Sequence, residues 1–196
     1  MYGTTKSFQE SLEKAIELCQ RAVALDEDSG IAHAYLGRYL FLNREYDKAL
    51  AEMERAIALN PGRADIIFRY GQILYYSCRP KEAIPMLRKA IRFNPLGPPY
   101  YFSFLAGSLC NTGRFDEAAS EYRKAIQRSP DFILAHVGLA ITYISMGHEK
   151  EARAEVAEVL RINPKYSVDI FARASPFKDQ SQTDKDINAL RKVGLK

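Results

Sequence analysis

The sequence predicts an all-α chain folded as an α-solenoid of antiparallel helix pairs. Three observations carry this. A proline-terminated segment recurs: YDKALAEMERAIALNP at 46–61 returns as PKEAIPMLRKAIRFNP at 80–95, FDEAASEYRKAIQRSP at 115–130 and EKEARAEVAEVLRINP at 149–164. The closing prolines, Pro61, Pro95, Pro130 and Pro164, stand 34, 35 and 34 residues apart, a period typical of stacked two-helix units. Small residues also return in register: Ala49, Ala83, Ala118 and Ala152, then Ala56, Ala90, Ala125 and Val159. Small side chains let two helices approach closely. Units of this kind touch only their neighbours, so the expected core is a ribbon rather than a sphere.

The elements follow in order. Residues 7–25 are expected to form one helix. Ser7 and Glu10 fit a capping box. Phe8, Leu12, Ile16, Cys19 and Val23 then recur at helical spacing. This helix reads as the second half of a unit, so residues 1–29 form a partial repeat whose first helix is missing. Either the chain was cut from a longer one, or the apolar face of 7–25 is covered another way, for example in a homodimer. Four full repeats are expected at 30–63, 64–97, 99–132 and 133–166, each with a first helix (A) and a second (B). Gly37, Gly71, Ala106 and Ala140 supply the small contact on the A helices. Leu36, Tyr70, Leu105 and Leu139 fill the space beside them, with Met53, Leu87, Tyr122 and Val156 from the B helices. The prolines end the B helices, because a residue before proline is pushed out of helical angles. Gly113 and Gly147 suit the A–B turns of the last two repeats.

Three departures carry expectations of their own. Val159 in place of alanine should set the last B helix slightly farther out. Pro85 inside a B helix predicts a bend or a widened turn. The extra residue in Leu96–Pro99 should shift the third repeat a little. Residues 167–196 leave the period: a short helix over 167–174, a loop at SPFKDQSQ, then a helix starting at Thr183 and ending at Gly194. Its expected role is to cap the open end of the solenoid.

This pattern of period, small residues and prolines closely resembles the tetratricopeptide-repeat family over residues 7–166. The resemblance implies a right-handed superhelix whose A helices line a concave groove for binding other chains. The string PFKDQSQTDKDINALRKVGLK resembles a second group: the tetratricopeptide tails of bacterial class III adenylate/guanylate cyclases, through Pro176–Asp179 and Leu190–Leu195. That likeness implies the regulatory part of a signalling protein. The alternative reading is a fragment or relative of such a cyclase without its catalytic domain.

Motifs for catalysis are missing. There is no HExxH, no paired Cys/His spacing and no glycine-rich phosphate loop, so no catalytic residue, metal or cofactor is expected. His33 and His136 share one repeat position, which signals packing, and His148 falls in a turn. The pairs Asp26/Asp28 and Asp184/Asp186 read as helix-end residues that favour the dipole. Cys19, Cys78 and Cys110 are scattered, which argues for reduced thiols and a cytoplasmic location. The net charge of +4 is interspersed and does not read as a nucleic-acid footprint. An RNA-binding helical repeat is therefore the least favoured reading. No apolar run approaches a membrane span.

Under the resemblance, positions 2, 5, 9, 12 and 13 of each A helix face the groove. The first repeat then contributes Arg38, Phe41 and Leu42, and the second Phe68, Gln72, Tyr75 and Tyr76. The third contributes Tyr100 and Asn111, and the fourth Leu134, Val137, Ile141 and Ile144. Such an apolar, aromatic strip suits an amphipathic helix or extended peptide of a protein partner. Positions that form a carboxylate clamp in chaperone-binding members hold Ala34 and Arg38, so that clamp is broken and capture of an acidic C-terminal peptide is not expected. The chain's own tail, with Phe171, Phe177, Ile187 and Leu190, is a candidate occupant.

Overall fold

The computed structural model describes residues 3–196, with side chains from Ser7 onward. Among the described residues there are eleven α-helices and no strand. They run α1 (Gly3–Leu25), α2 (Gly30–Leu42), α3 (Tyr46–Leu59), α4 (Ala64–Tyr76), α5 (Pro80–Phe93) and α6 (Pro99–Cys110). Then come α7 (Phe115–Arg128), α8 (Ile133–Ser145), α9 (Glu149–Ile162), α10 (Val168–Ala174) and α11 (Gln180–Lys192). Helices pack in the pairs α2·α3, α4·α5, α6·α7 and α8·α9, and each pair stacks on the next. The result is a solenoid of helix pairs, with α1 against α2 and α11 folded back on α8.

The small residues sit at the helix contacts. Ala49, Ala56, Ala83, Ala90, Ala118, Ala125, Ala152 and Val159 are fully enclosed. One apolar core runs through the stack from Leu12 to Leu195. Two polar pairs recur in it three repeats apart. His33 Nδ1 lies 2.6 Å from Glu52 Oε2, and His136 Nδ1 lies 2.7 Å from Glu155 Oε2. The other ring nitrogen meets a backbone carbonyl, of Glu27 and Pro130 respectively. Each histidine thus ties an A helix to its B helix and to the preceding loop. The A–B turns need a left-handed residue. Gly113 (φ 78°) and Gly147 (φ 79°) provide it in two repeats, but Arg44 (φ 61°) and Cys78 (φ 59°) take it in the others. A Cβ there costs about 1–2 kcal/mol per residue.

Two expected helix starts fail. α1 begins at Gly3, so Ser7 lies inside the helix and is not its cap. Nothing in the preceding turn breaks a helix, and a capping side chain helps only where the helix starts. α5 runs as α-helix through Pro85. Pro85 and Lys81 both face solvent, so water can satisfy the Lys81 carbonyl that loses its amide partner. α11 starts at Gln180, not Thr183. Asp179 caps it by accepting from the Ser181 amide at 2.9 Å, one turn earlier than the Thr183/Asp186 pair.

The loop between α10 and α11 reaches back to the first repeats. The Tyr46 hydroxyl donates to the Pro176 carbonyl at 2.8 Å, and the Lys178 amide donates to the Tyr76 carbonyl at 2.8 Å. Lys178 Nζ donates to both carboxylate oxygens of Asp47 at 3.0 Å. Arg153 holds the other end of α11 through the Lys192 carbonyl at 3.1 Å.

Candidate functional site

The A helices present two different surfaces, and the tail decides which. α4 ends in Tyr75 and Tyr76, and α6 carries Phe104 opposite them. Phe177, from the α10–α11 loop, drops between these rings. Its centroid lies 5.0 Å from Tyr75 and 5.1 Å from Tyr76, and it is 2% exposed. Tyr75 and Tyr76 also meet Phe104 edge-on at 5.6 and 5.5 Å. Edge-on and tilted contacts suit aromatic quadrupoles. Burial pushes the phenols of Tyr75 and Tyr76 well above their usual range, so both stay protonated.

Below Phe177 lies a cavity of about 140 Å3. Tyr75, Tyr76, Phe104, Tyr122, Phe171 and Phe177 line it, with Asp186 and Ser103 as polar members. Tyr122 enters from α7 only because residue 138 is glycine: a Cβ there would stand 2.2 Å from the phenol carbon. Asp186 is 7% exposed, and its Oδ1 accepts from Gln182 Nε2 at 3.0 Å. Burial pushes this carboxyl up to about 6, against the pull of Gln182 and Lys185. The Ser103 hydroxyl is enclosed and has no hydrogen-bond partner among the described residues.

The other surface is open. Between α2 and α4 is a cleft of about 240 Å3 lined by Ile31, Ala34, Tyr35, Arg38, Arg63, Asp65 and Arg69. Arg63 pairs with Asp65 at 2.7 Å. Arg38 and Arg69 have no carboxylate partner among the described residues. Arg69 is half-buried, and burial together with the charge of Arg38 lowers its pKa.

The thirteen groove residues read from the sequence divide accordingly. Arg38, Leu42, Tyr100 and Leu134 are exposed. Gln72, Asn111, Ile141 and Ile144 are partly covered. Tyr75 and Tyr76 are partly covered too, in contact with the tail. Phe41, Phe68 and Val137 are buried and offer no surface here. Phe68 stacks on Tyr101 at 4.3 Å with rings 2° from parallel, and Phe41 stacks on Tyr76 at 5.6 Å, so both pack helix against helix. Asp186, expected at a helix end, sits mid-helix in the cavity. The signal available was its register with Leu190, four residues on, which puts both on the buried face. Arg69 was missed because it lies off the assumed groove positions. Cys110 is pushed up by burial, so its thiol is not activated.

A family profile described as Tetratricopeptide repeat matches residues 40–107 and 112–169, and a second of the same description matches 5–64. The chain belongs to the tetratricopeptide-repeat family. As such it is a non-catalytic protein-interaction scaffold. Two curated relatives match part of it. It is 31% identical over 80 residues to a peroxisomal targeting signal receptor of Candida albicans, covering 41% of this chain and 14% of the receptor. It is 36% identical over 59 residues to the receptor of that name from Saccharomyces cerevisiae, covering 30% and 10%. The chain therefore spans only a small part of these relatives. Among solved structures it is similar to YrrB, described as a tetratricopeptide-repeat protein with an unusual peptide-binding site. The TM-score is 0.68 at 23% identity, over 83% of this chain and 84% of that one. MamA from Desulfovibrio magneticus RS-1 superposes with TM-score 0.73 at 17% identity, over 82% and 90%. At these identities the likeness establishes the fold. No described helix is long and apolar enough to cross a membrane.

Proposed function

We propose that this tetratricopeptide-repeat chain holds a peptide or amphipathic helix of a protein partner in its groove, with the cleft at Arg38 and Arg69 as the docking point. One observation carries this reading: a half-buried guanidinium beside a second arginine, while the carboxylate that lines the cleft, Asp65, is already paired with Arg63. Such a pair costs stability until an anion arrives, and hydrogen bonds to charged groups are stronger than neutral ones. Tyr35 and Ile31 beside the arginines are exposed and supply apolar contact. The partner segment therefore combines an acidic side chain with apolar neighbours. This differs from the family's clamp, whose positions are not kept here. The names of the relatives point the same way: receptors for a targeting signal, and a repeat protein with a peptide-binding site. A regulatory role within a signalling protein is part of this proposal, and the free state of all three cysteines supports a reducing, cytoplasmic setting.

Selection of displayed peptides on the purified chain tests this. Selected sequences should share an acidic residue. Their affinity should fall about tenfold in the double variant Arg38→Ala/Arg69→Met, in line with the loss of about 1.5–3 kcal/mol for a charged hydrogen bond. Peptides lacking acidic residues, or bound equally by the variant, would refute the reading.

A further inference from the structure

The cavity beneath Phe177 has features that packing alone does not explain. A carboxylate is expensive to bury without a cation, yet no lysine or arginine lines this cavity. Asp186 Oδ1 accepts from Gln182, while no hydrogen bond or ion pair among the described residues reaches Oδ2. Ser103, 8% exposed, also lines the cavity, and its hydroxyl has no partner among the described residues. All other lining groups are apolar or aromatic except the Ser175 hydroxyl, which is used on the Phe171 carbonyl at 2.8 Å, and the phenols. Ring faces attract a cation within about 6 Å of their centroids.

We infer that this cavity is a binding site for a small alkylated ammonium group, held over the rings of Tyr75, Tyr122 and Phe177 with Asp186 as its counter-ion. Alkylation matters. A bare ammonium is a compact, strongly hydrated charge, and aromatic ring faces replace that water poorly. A quaternary ammonium has no N–H to satisfy, spreads its charge over methyl groups and matches an aromatic wall. The volume fits as well: an engineered cavity of about 150 Å3 admits a benzene-sized guest. The group can arrive on a free small molecule or on a methylated lysine of a polypeptide; the chemistry is the same. The site exists only while the tail is seated, because α10 brings Phe171, the loop brings Phe177 and α11 brings Asp186. Occupancy therefore stabilises the seated tail by mass action. This site is distinct from the Arg38/Arg69 cleft, and failure of either reading leaves the other standing.

The test is a titration of the full chain with choline, followed by calorimetry and by the NMR signals of the cavity tyrosines. Choline is expected to saturate a single site. Its neutral carbon isostere, 3,3-dimethylbutan-1-ol, should bind about tenfold more weakly or worse, as should choline to Asp186→Asn. Phe177→Leu keeps an apolar side chain but removes a ring, and should also weaken choline. Circular dichroism confirms the fold of each variant. Amide exchange in α11 should slow when choline is present. A peptide carrying trimethyllysine, compared with the same peptide carrying lysine, separates the two sources: tighter binding than choline assigns a polypeptide, weaker binding a free small molecule. If choline does not saturate, or if isostere and Asp186→Asn bind it equally well, the cavity holds only water and the inference is overturned.

Discussion

Replacing Asp186 by asparagine should stabilise the free protein at neutral pH and erase part of its pH dependence. Burial raises this carboxyl from 3.8 to about 6 in the folded chain. The raised value means that the folded state keeps a proton which the unfolded state releases. Stability from this group is therefore fully present below pH 3.8, falls as pH rises, and is gone above about 6. Roughly two units at about 1.4 kcal/mol each give about 3 kcal/mol lost across that window. Asparagine is neutral throughout and avoids the loss, although its extra amide hydrogens need acceptors and give back about 1 kcal/mol. The expected net gain near pH 7.5 is about 2 kcal/mol, and it turns into a net loss of about 1 kcal/mol towards pH 4, where Asp186 is protonated in both states. The groups around Asp186 do not confuse the sign. Gln182 does not titrate, and Tyr75, Tyr122 and Cys110 are pushed up out of this window by burial. Urea denaturation of both proteins, at several pH values between about 4 and 8, measures the difference directly. Parallel stability–pH curves for the two proteins would refute the argument, because a solvated Asp186 predicts no such divergence.

Phe177→Ala should detach α10 and α11 without unfolding the repeats, since a buried phenylalanine is worth about 3–5 kcal/mol; amide exchange should accelerate there and not in α4–α7. Gly138→Ala should destabilise by about 1–3 kcal/mol despite alanine's better helix propensity, because the new methyl strikes the ring of Tyr122; a rise in thermal midpoint would count against this. Arg44→Gly and Cys78→Gly should each stabilise by about 0.5–1 kcal/mol, by relieving positive φ at the cost of some unfolded-state entropy; chemical denaturation decides. The side of α1 bearing Phe8 (59% exposed), Leu18 (51%) and Leu25 (88%) is proposed to pair with a second copy. Light scattering should then show a concentration-dependent dimer that Leu18→Glu abolishes; a monomer at all concentrations rejects that pairing.

Much of the architecture was readable because repetition averages out local ambiguity. One proline or alanine says little, but four in register specify which face of each helix must be small. Local cues were less dependable at element ends. Ser7 and Glu10 form a plausible cap in isolation, yet the helix simply continues through them. Thr183 is the expected start of α11, yet Asp179, inside the expected loop, caps it earlier. For the groove, the repeat pattern identified the A helices but could not divide their residues between neighbours and solvent. Phe68 and Tyr100 both sit at expected groove positions, and only Tyr100 keeps exposed surface.

By itself the sequence determined the helix pairs, their period and the enclosed alanines, since each depends on residues close in the chain or repeated along it. The tertiary structure alone decided the site. Lys178 meets Asp47 and Pro176 meets Tyr46 across roughly 130 positions, and no repeat relates the tail to the first units. Asp186 became an enclosed carboxylate through contacts between the tail and the repeats, which share no pattern, and Arg69 became half-buried beside Arg38 where two A helices meet. Burial and counter-charge are properties of space, and a linear pattern records them only where the chain repeats itself.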